Sequence, residues 1–158
     1  MHIILRRAAG FGRSEEGANA LEFALVLPVL LTLLFGIMEG SRAVNAWMVV
    51  TQATRAGARF AITGSEAFTS SGAVNPGLTS DIKAQVSTYA SNMGVNLTAS
   101  DVTVTCLDSS GSAVKCSSIT DLHSIGVQST YTVNMLIPLI QALTNSITIT
   151  AASTMRAE

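Results

Sequence analysis

Residues 23–38 carry no charge, and a carboxylate closes the run at each end, Glu22 before it and Glu39 after it. In an apolar medium such a run folds as a helix, because a helix satisfies its own backbone groups where no water is present. At about 1.5 Å rise per residue it covers roughly 24 Å, which is short of a ~30 Å hydrocarbon layer. Residues 18–21 on one side, and Ala43, Val44, Ala46, Trp47 and Met48 on the other, supply apolar flanks. Trp47 suits the headgroup level. Residues 18–40 are therefore expected to form a single transmembrane helix in a lipid bilayer. Glu22 at its edge costs roughly 2.5–3.5 kcal/mol on insertion scales, which calls for a partner.

Arg6, Arg7 and Arg13 precede the run, whereas Arg42 is the basic residue that follows it closely. Positive-inside logic puts the N-terminus in the cytoplasm and residues 41–158 on the exported side. An ordinary secretory signal fits less well: the run exceeds the usual apolar region, and no clear small-x-small site follows it. An uncleaved signal anchor displaying a periplasmic binding or enzyme domain is the alternative. Pro28 lacks a backbone donor and is expected to kink or loosen the helix.

The 158 residues are 48% apolar and 12% charged, with net charge −1 and mean hydropathy +0.45. These values fit one small domain with one anchor, and they leave no basic field for nucleic acid. Cys106 and Cys116 flank a turn-rich connector and are expected to staple a hairpin, contributing on the order of 2–3 kcal/mol in the chain-entropy model. His2 and His123 are too few for a metal site with these cysteines, so no metal and no cofactor are expected. Asp101, Asp108 and Asp121 fall in predicted turns, where capping suits them. No catalytic constellation emerges, and the chain is not expected to be an enzyme.

Beyond Glu39 the helix is expected to continue over 42–63. Ala46, Val49, Val50, Ala53, Gly57 and Phe60 recur on one face, opposite Asn45, Gln52, Arg55 and Arg59. A serine- and glycine-rich loop follows over 64–78. A second helix spans 80–93, capped by Thr79 or Ser80, buried through Ile82, Val86, Tyr89, Ala90 and Met93, and stopped by Gly94. Period-two patterns near 102–107, 125–135 and 146–156 predict strands, with a short one over 114–117. Pro138 can open a helical turn within 137–144. The fold class expected is α+β: a long N-terminal helix, membrane-spanning in its first half, on a small antiparallel sheet.

Gly17, the small Ala18, Glu22 and Phe23, then Ala24-Leu25-Val26-Leu27-Pro28-Val29-Leu30-Leu31 and Phe35-Gly36-Ile37-Met38-Glu39, resemble TadE-like proteins of bacterial tight-adherence (Tad, or Flp) pilus systems. The resemblance is strongest over 13–62 and takes in Arg55-Ala56-Gly57-Ala58-Arg59-Phe60-Ala61. It implies a pilin-like fold and a minor pilin or pseudopilin of the type IV class. Residues 1–17 would be a basic leader, cut after Gly17 by a prepilin peptidase to leave Ala18 as the new N-terminus. Glu22 and Phe23 would then act in assembly, Glu22 pairing with the amino group of a neighbouring subunit. The partners implied are that peptidase, the major Flp pilin, other minor pilins and the inner-membrane assembly platform, with adherence and biofilm formation as the output. Glu15 and Glu16 depart from the pattern, since such leaders are commonly basic just before the cut. The modest exported part resembles TadE or TadF more than the larger TadG-like relatives.

Overall fold

The computed structural model describes residues 15–63, 75–116, 123–137, 141 and 145–156. The expectations for most of the leader, the loop over 64–74, Pro138, Asp121 and Ser117 lie outside them. The element order is α1 (Glu15–Thr63), α2 (Leu78–Asn92), a 3-10 turn (Ala99–Asp101), β1 (Val102–Leu107), β2 (Ala113–Val114), β3 (Ser124–Asn134) and β4 (Ser146–Arg156). Residues 1–38 and 39–158 form separate compact units. In the first, every residue from 17 to 38 is exposed, and the helical backbone runs on through Pro28. The Thr32 hydroxyl donates to the Pro28 carbonyl at 2.7 Å, a bond back along the helix of the kind that bends helices slightly.

Residues 39–158 form two layers. The sheet has order β2-β1-β3-β4 with every neighbour antiparallel. Its inner face carries Val102 and Cys106 of β1, Ile125, Val127, Ser129 and Val133 of β3, and Ile149 and Ala151 of β4. The alternate residues, among them Thr103, Thr105, Gln128, Thr130, Thr132, Thr148 and Thr150, are exposed. This is the period-two division expected of an antiparallel sheet with one solvated face. The inner face and both helices share one apolar core, which includes Ala46, Val50 and Ala53 of α1 and Ile82, Val86 and Ala90 of α2. Each fully buried valine or isoleucine there contributes about 1.5–3 kcal/mol of transfer free energy.

The α1 stripe is the one its spacing predicts, with one polar member the spacing missed. Thr54 is fully buried, and its hydroxyl lies 2.7 Å from the Val50 carbonyl and 2.9 Å from the Ser129 hydroxyl. Since a hydroxyl has one proton, which Thr54 gives to Val50, Ser129 donates to Thr54. This couple crosses the helix–sheet seam with both groups satisfied.

The second helix begins at Leu78, ahead of Thr79 and Ser80, and Leu78 is buried. Its start is organised from Asn75, whose side chain accepts from the Gly77 amide at 3.0 Å and whose carbonyl accepts from the Leu78 amide at 3.0 Å. An Asx turn thus replaces the expected side-chain cap. Met93, expected inside, is exposed, because the chain leaves the helix there and Gly94 turns at φ +80°. Tyr89 is half-buried and reaches Gln52 at 3.3 Å. The short strand is Ala113–Val114, ending earlier than its pattern suggests. Cys106 and Cys116 form a disulfide across it, with Cα atoms 5.2 Å apart.

Two aspartates organise turns. Asp101 accepts from the Thr98 hydroxyl at 2.5 Å and the Thr98 amide at 2.9 Å. Asp108 accepts from the Ser110 hydroxyl at 2.6 Å and from the Ser110 and Ser112 amides at 2.9 Å. These bonds, first of all those from the hydroxyls, hold both carboxyls below the ordinary aspartate range. A carboxyl lowered on folding stabilises the fold fully above its unfolded value and loses that contribution as pH falls through the folded value. Thermal unfolding of the full chain in detergent should therefore be level near neutrality and weaken below about pH 4, and Asp101→Asn with Asp108→Asn should flatten that acid limb.

At Gly57 the two helices approach closely, since a Cβ there would collide with the Val86 Cγ2 methyl. Gly57→Ala should lower stability by about 1–3 kcal/mol. Combined with Val86→Ala, the loss measured by denaturant unfolding should be smaller than the sum of the two single losses.

Candidate functional site

The residues singled out at the start of the chain lie on α1 as a series of exposed side chains. Gly17 and Ala18 lie near the start of the described part of α1. Ala18 and Glu22 are one turn apart and share a face. Glu22 is exposed and meets no donor or cation among the described residues. Phe23 is 66% exposed beside Leu21, Leu25 and Val26. The helix is long and apolar enough to cross a membrane, and this apolar window has none of its surface buried.

Glu39 closes the apolar run and has a further role in the structure. Its side chain is 4% exposed. One oxygen accepts from the consecutive amides of Leu136 and Ile137, at 2.6 and 3.2 Å, and the other from Arg42 Nη1 at 2.7 Å. Glu39 thereby joins α1 to the chain leaving β3. Nearby, Gln141 donates to the Met135 carbonyl at 2.6 Å and Met135 donates to the Asn145 carbonyl at 3.2 Å, so the β3–β4 connection is fastened at both ends. The i, i+3 spacing of Glu39 and Arg42 was a visible signal of the ion pair. The two amides, 97 and 98 residues away, left no trace in the local sequence.

A buried carboxylate that loses its partners is costly, and so are the amides it leaves behind. In Glu39→Ala, amide hydrogen exchange at Leu136 and Ile137 should accelerate while exchange at the Thr54–Ser129 seam stays slow. Glu39→Gln, which keeps an acceptor, should fall between the two.

Against this geometry, a family model described as TadE-like protein matches residues 17–59. The match covers the exposed apolar part of α1 and continues into its buried stripe. Neither the curated proteins nor the solved structures yield a match. Over residues 17–59 the chain is therefore similar to TadE-like proteins, a likeness that supports a place in the Tad pilus system.

Proposed function

We propose that the protein is a non-enzymatic minor pilin or pseudopilin that takes part in assembling or priming a Tad pilus for adherence and biofilm formation. The observation that carries this reading is the exposed apolar helix that carries Gly17, Ala18 and Glu22, the last without a partner among the described residues, in the segment similar to TadE-like proteins. In this proposal a prepilin peptidase cuts after Gly17 on the cytoplasmic side. The new amino group of Ala18 then shares a helix face with Glu22. When two such faces pack, in copies of this chain or with the major Flp pilin or another minor pilin, each amine meets the other subunit's carboxylate. In a poorly solvated bundle such a pair is favourable only when complete, and removing one partner typically costs 3–5 kcal/mol. Axial register between subunits follows from that condition. Residues 41–158 would face the periplasm, beside the inner-membrane assembly platform.

Mass spectrometry of protein extracted from peptidase-positive membranes should recover Ala18 as the N-terminus, and from peptidase-negative membranes an intact leader. Glu22→Ala should abolish assembly, read by cross-linking to neighbouring pilins, with the Cys106–Cys116 disulfide still formed. Residues 1–17 retained in peptidase-positive cells would instead favour an uncleaved anchor.

A further inference from the structure

Residues 39–158 have two chemically different ends. α2 runs antiparallel to α1: Gly57 lies against Val86 and Ile82, Gln52 meets Tyr89, and Gly94 and Val95 share a cleft with Arg42 and Asn45. In β3 the Val133 end lies toward Arg42 and Ala46, Ser129 lies level with Thr54, and Ser124 pairs with Leu107 and Arg156 at the other end. Among the described residues of this unit, the large apolar side chains left exposed are Val44, Trp47, Met48, Met93, Leu136 and Ile147. All belong to the end that carries Glu39. Leu136 is bonded to Glu39 itself, and Ile147, opposite Val133, lines an apolar groove with Ala43, Val44 and Trp47. The charged residues Arg55, Arg59, Asp81, Lys83, Asp108 and Arg156 lie beyond the Thr54–Ser129 level, toward the other end. On the apolar side of that level the described charges are Glu39, which is buried, Arg42, which is 42% exposed, and Asp101, which is half-buried and bonded to Thr98.

We propose that this apolar end is a membrane-docking surface, seated in the interfacial layer of a phospholipid bilayer. The proposal rests on the reading of residues 18–40 as membrane-spanning. The uncharged run stops at Glu39 after roughly 24 Å, which leaves several ångströms of a ~30 Å hydrocarbon layer to be filled. The Glu39 carboxylate can enter that zone because its charge is compensated by Arg42 and two amides. About one and a half to two and a half turns farther along α1, Val44, Trp47 and Met48 fall where tryptophan partitions at the headgroup level. Leu136 and Ile147 extend the same apolar surface onto the sheet. Arg42, its side chain 42% exposed, supplies the cation that lipid phosphates attract. A second copy of the chain would be an alternative cover for the groove, but the collar surrounds the point at which the uncharged run ends, and lipid is the occupant that this position demands.

Trp47 is the one tryptophan in the sequence, so its fluorescence reports this surface alone. The full chain is reconstituted in phosphatidylcholine vesicles containing lipids brominated either near the headgroup or near the bilayer centre. Trp47 emission should be quenched more strongly by the shallow bromines, and Val44→Ser with Leu136→Ser should reduce that quenching while the disulfide still forms. A reference variant, Leu30→Trp with Trp47→Phe, should be quenched chiefly by the deep bromines. If Leu30→Trp is quenched so but Trp47 is quenched only by aqueous iodide, the docking surface is refuted while the membrane span stands. If Leu30→Trp is not quenched by either lipid, the span itself fails and the proposal with it. Shielding of Trp47 from iodide that rises with protein-to-lipid ratio, without quenching by lipid bromine, would assign the groove to a second copy and overturn the proposal.

Discussion

Two consecutive amides converge on one carboxylate oxygen of Glu39, and the placement of α1 against the sheet in residues 39–158 depends on that junction. An anion with so little exposure is tolerable only when fully bonded, and here a guanidinium and the backbone leaving β3 share the task. The same contact draws in the β3–β4 connection and so fixes where β4 begins. From that point eleven paired residues run back along β3 without interruption, carrying Ile149 and Ala151 onto the core side. Fifteen residues further along α1, the Thr54–Ser129 couple provides a second polar contact, and between the two the packing is apolar.

Along α1 the surroundings change while the secondary structure does not. From Gly17 to Met38 the side chains are exposed, and from Phe23 onward all but Thr32 and Gly36 are large or small apolar groups. From Ala46 onward small residues alternate with polar ones, so that one stripe approaches the sheet closely and the other meets water. Small side chains serve the second half well, because a helix lined with alanine and glycine can accept a second helix at short range, as Gly57 does with Val86.

Much of this was legible in the sequence because it depends on period. The α+β class, the inner stripe of α1 and the alternation in β1 and β3 follow from apolar spacing, and the similarity of residues 17–59 to TadE-like proteins from a short set of residues in register. What escaped was non-local or polar. Ser129 occupies an inward position that hydropathy assigns to water, and only Thr54, 75 residues earlier, explains it. The start of α2 depends on Asn75 bonding two residues onward, which outweighed the capping preference of Thr79 and Ser80. Glu39 looked like a boundary marker because its partners come from the far side of the fold. Ile147 follows the inward phase of β4 and is nonetheless 40% exposed, since the helix opposite it presents the short Ala43 and leaves a groove.

The two polar contacts along α1 also have a mechanical meaning. They are separated by roughly 22 Å of helix and lie on either side of an apolar seam. A pull along the helix axis would have to shear both together, and sliding by one turn would strand the Thr54 and Ser129 hydroxyls and the Leu136 and Ile137 amides at once. Apolar packing alone permits such sliding, because one methyl group replaces another at little cost. With a hydrogen-bonded couple at one level and a clamped carboxylate at the other, helix and sheet in residues 39–158 resist tension as a single body.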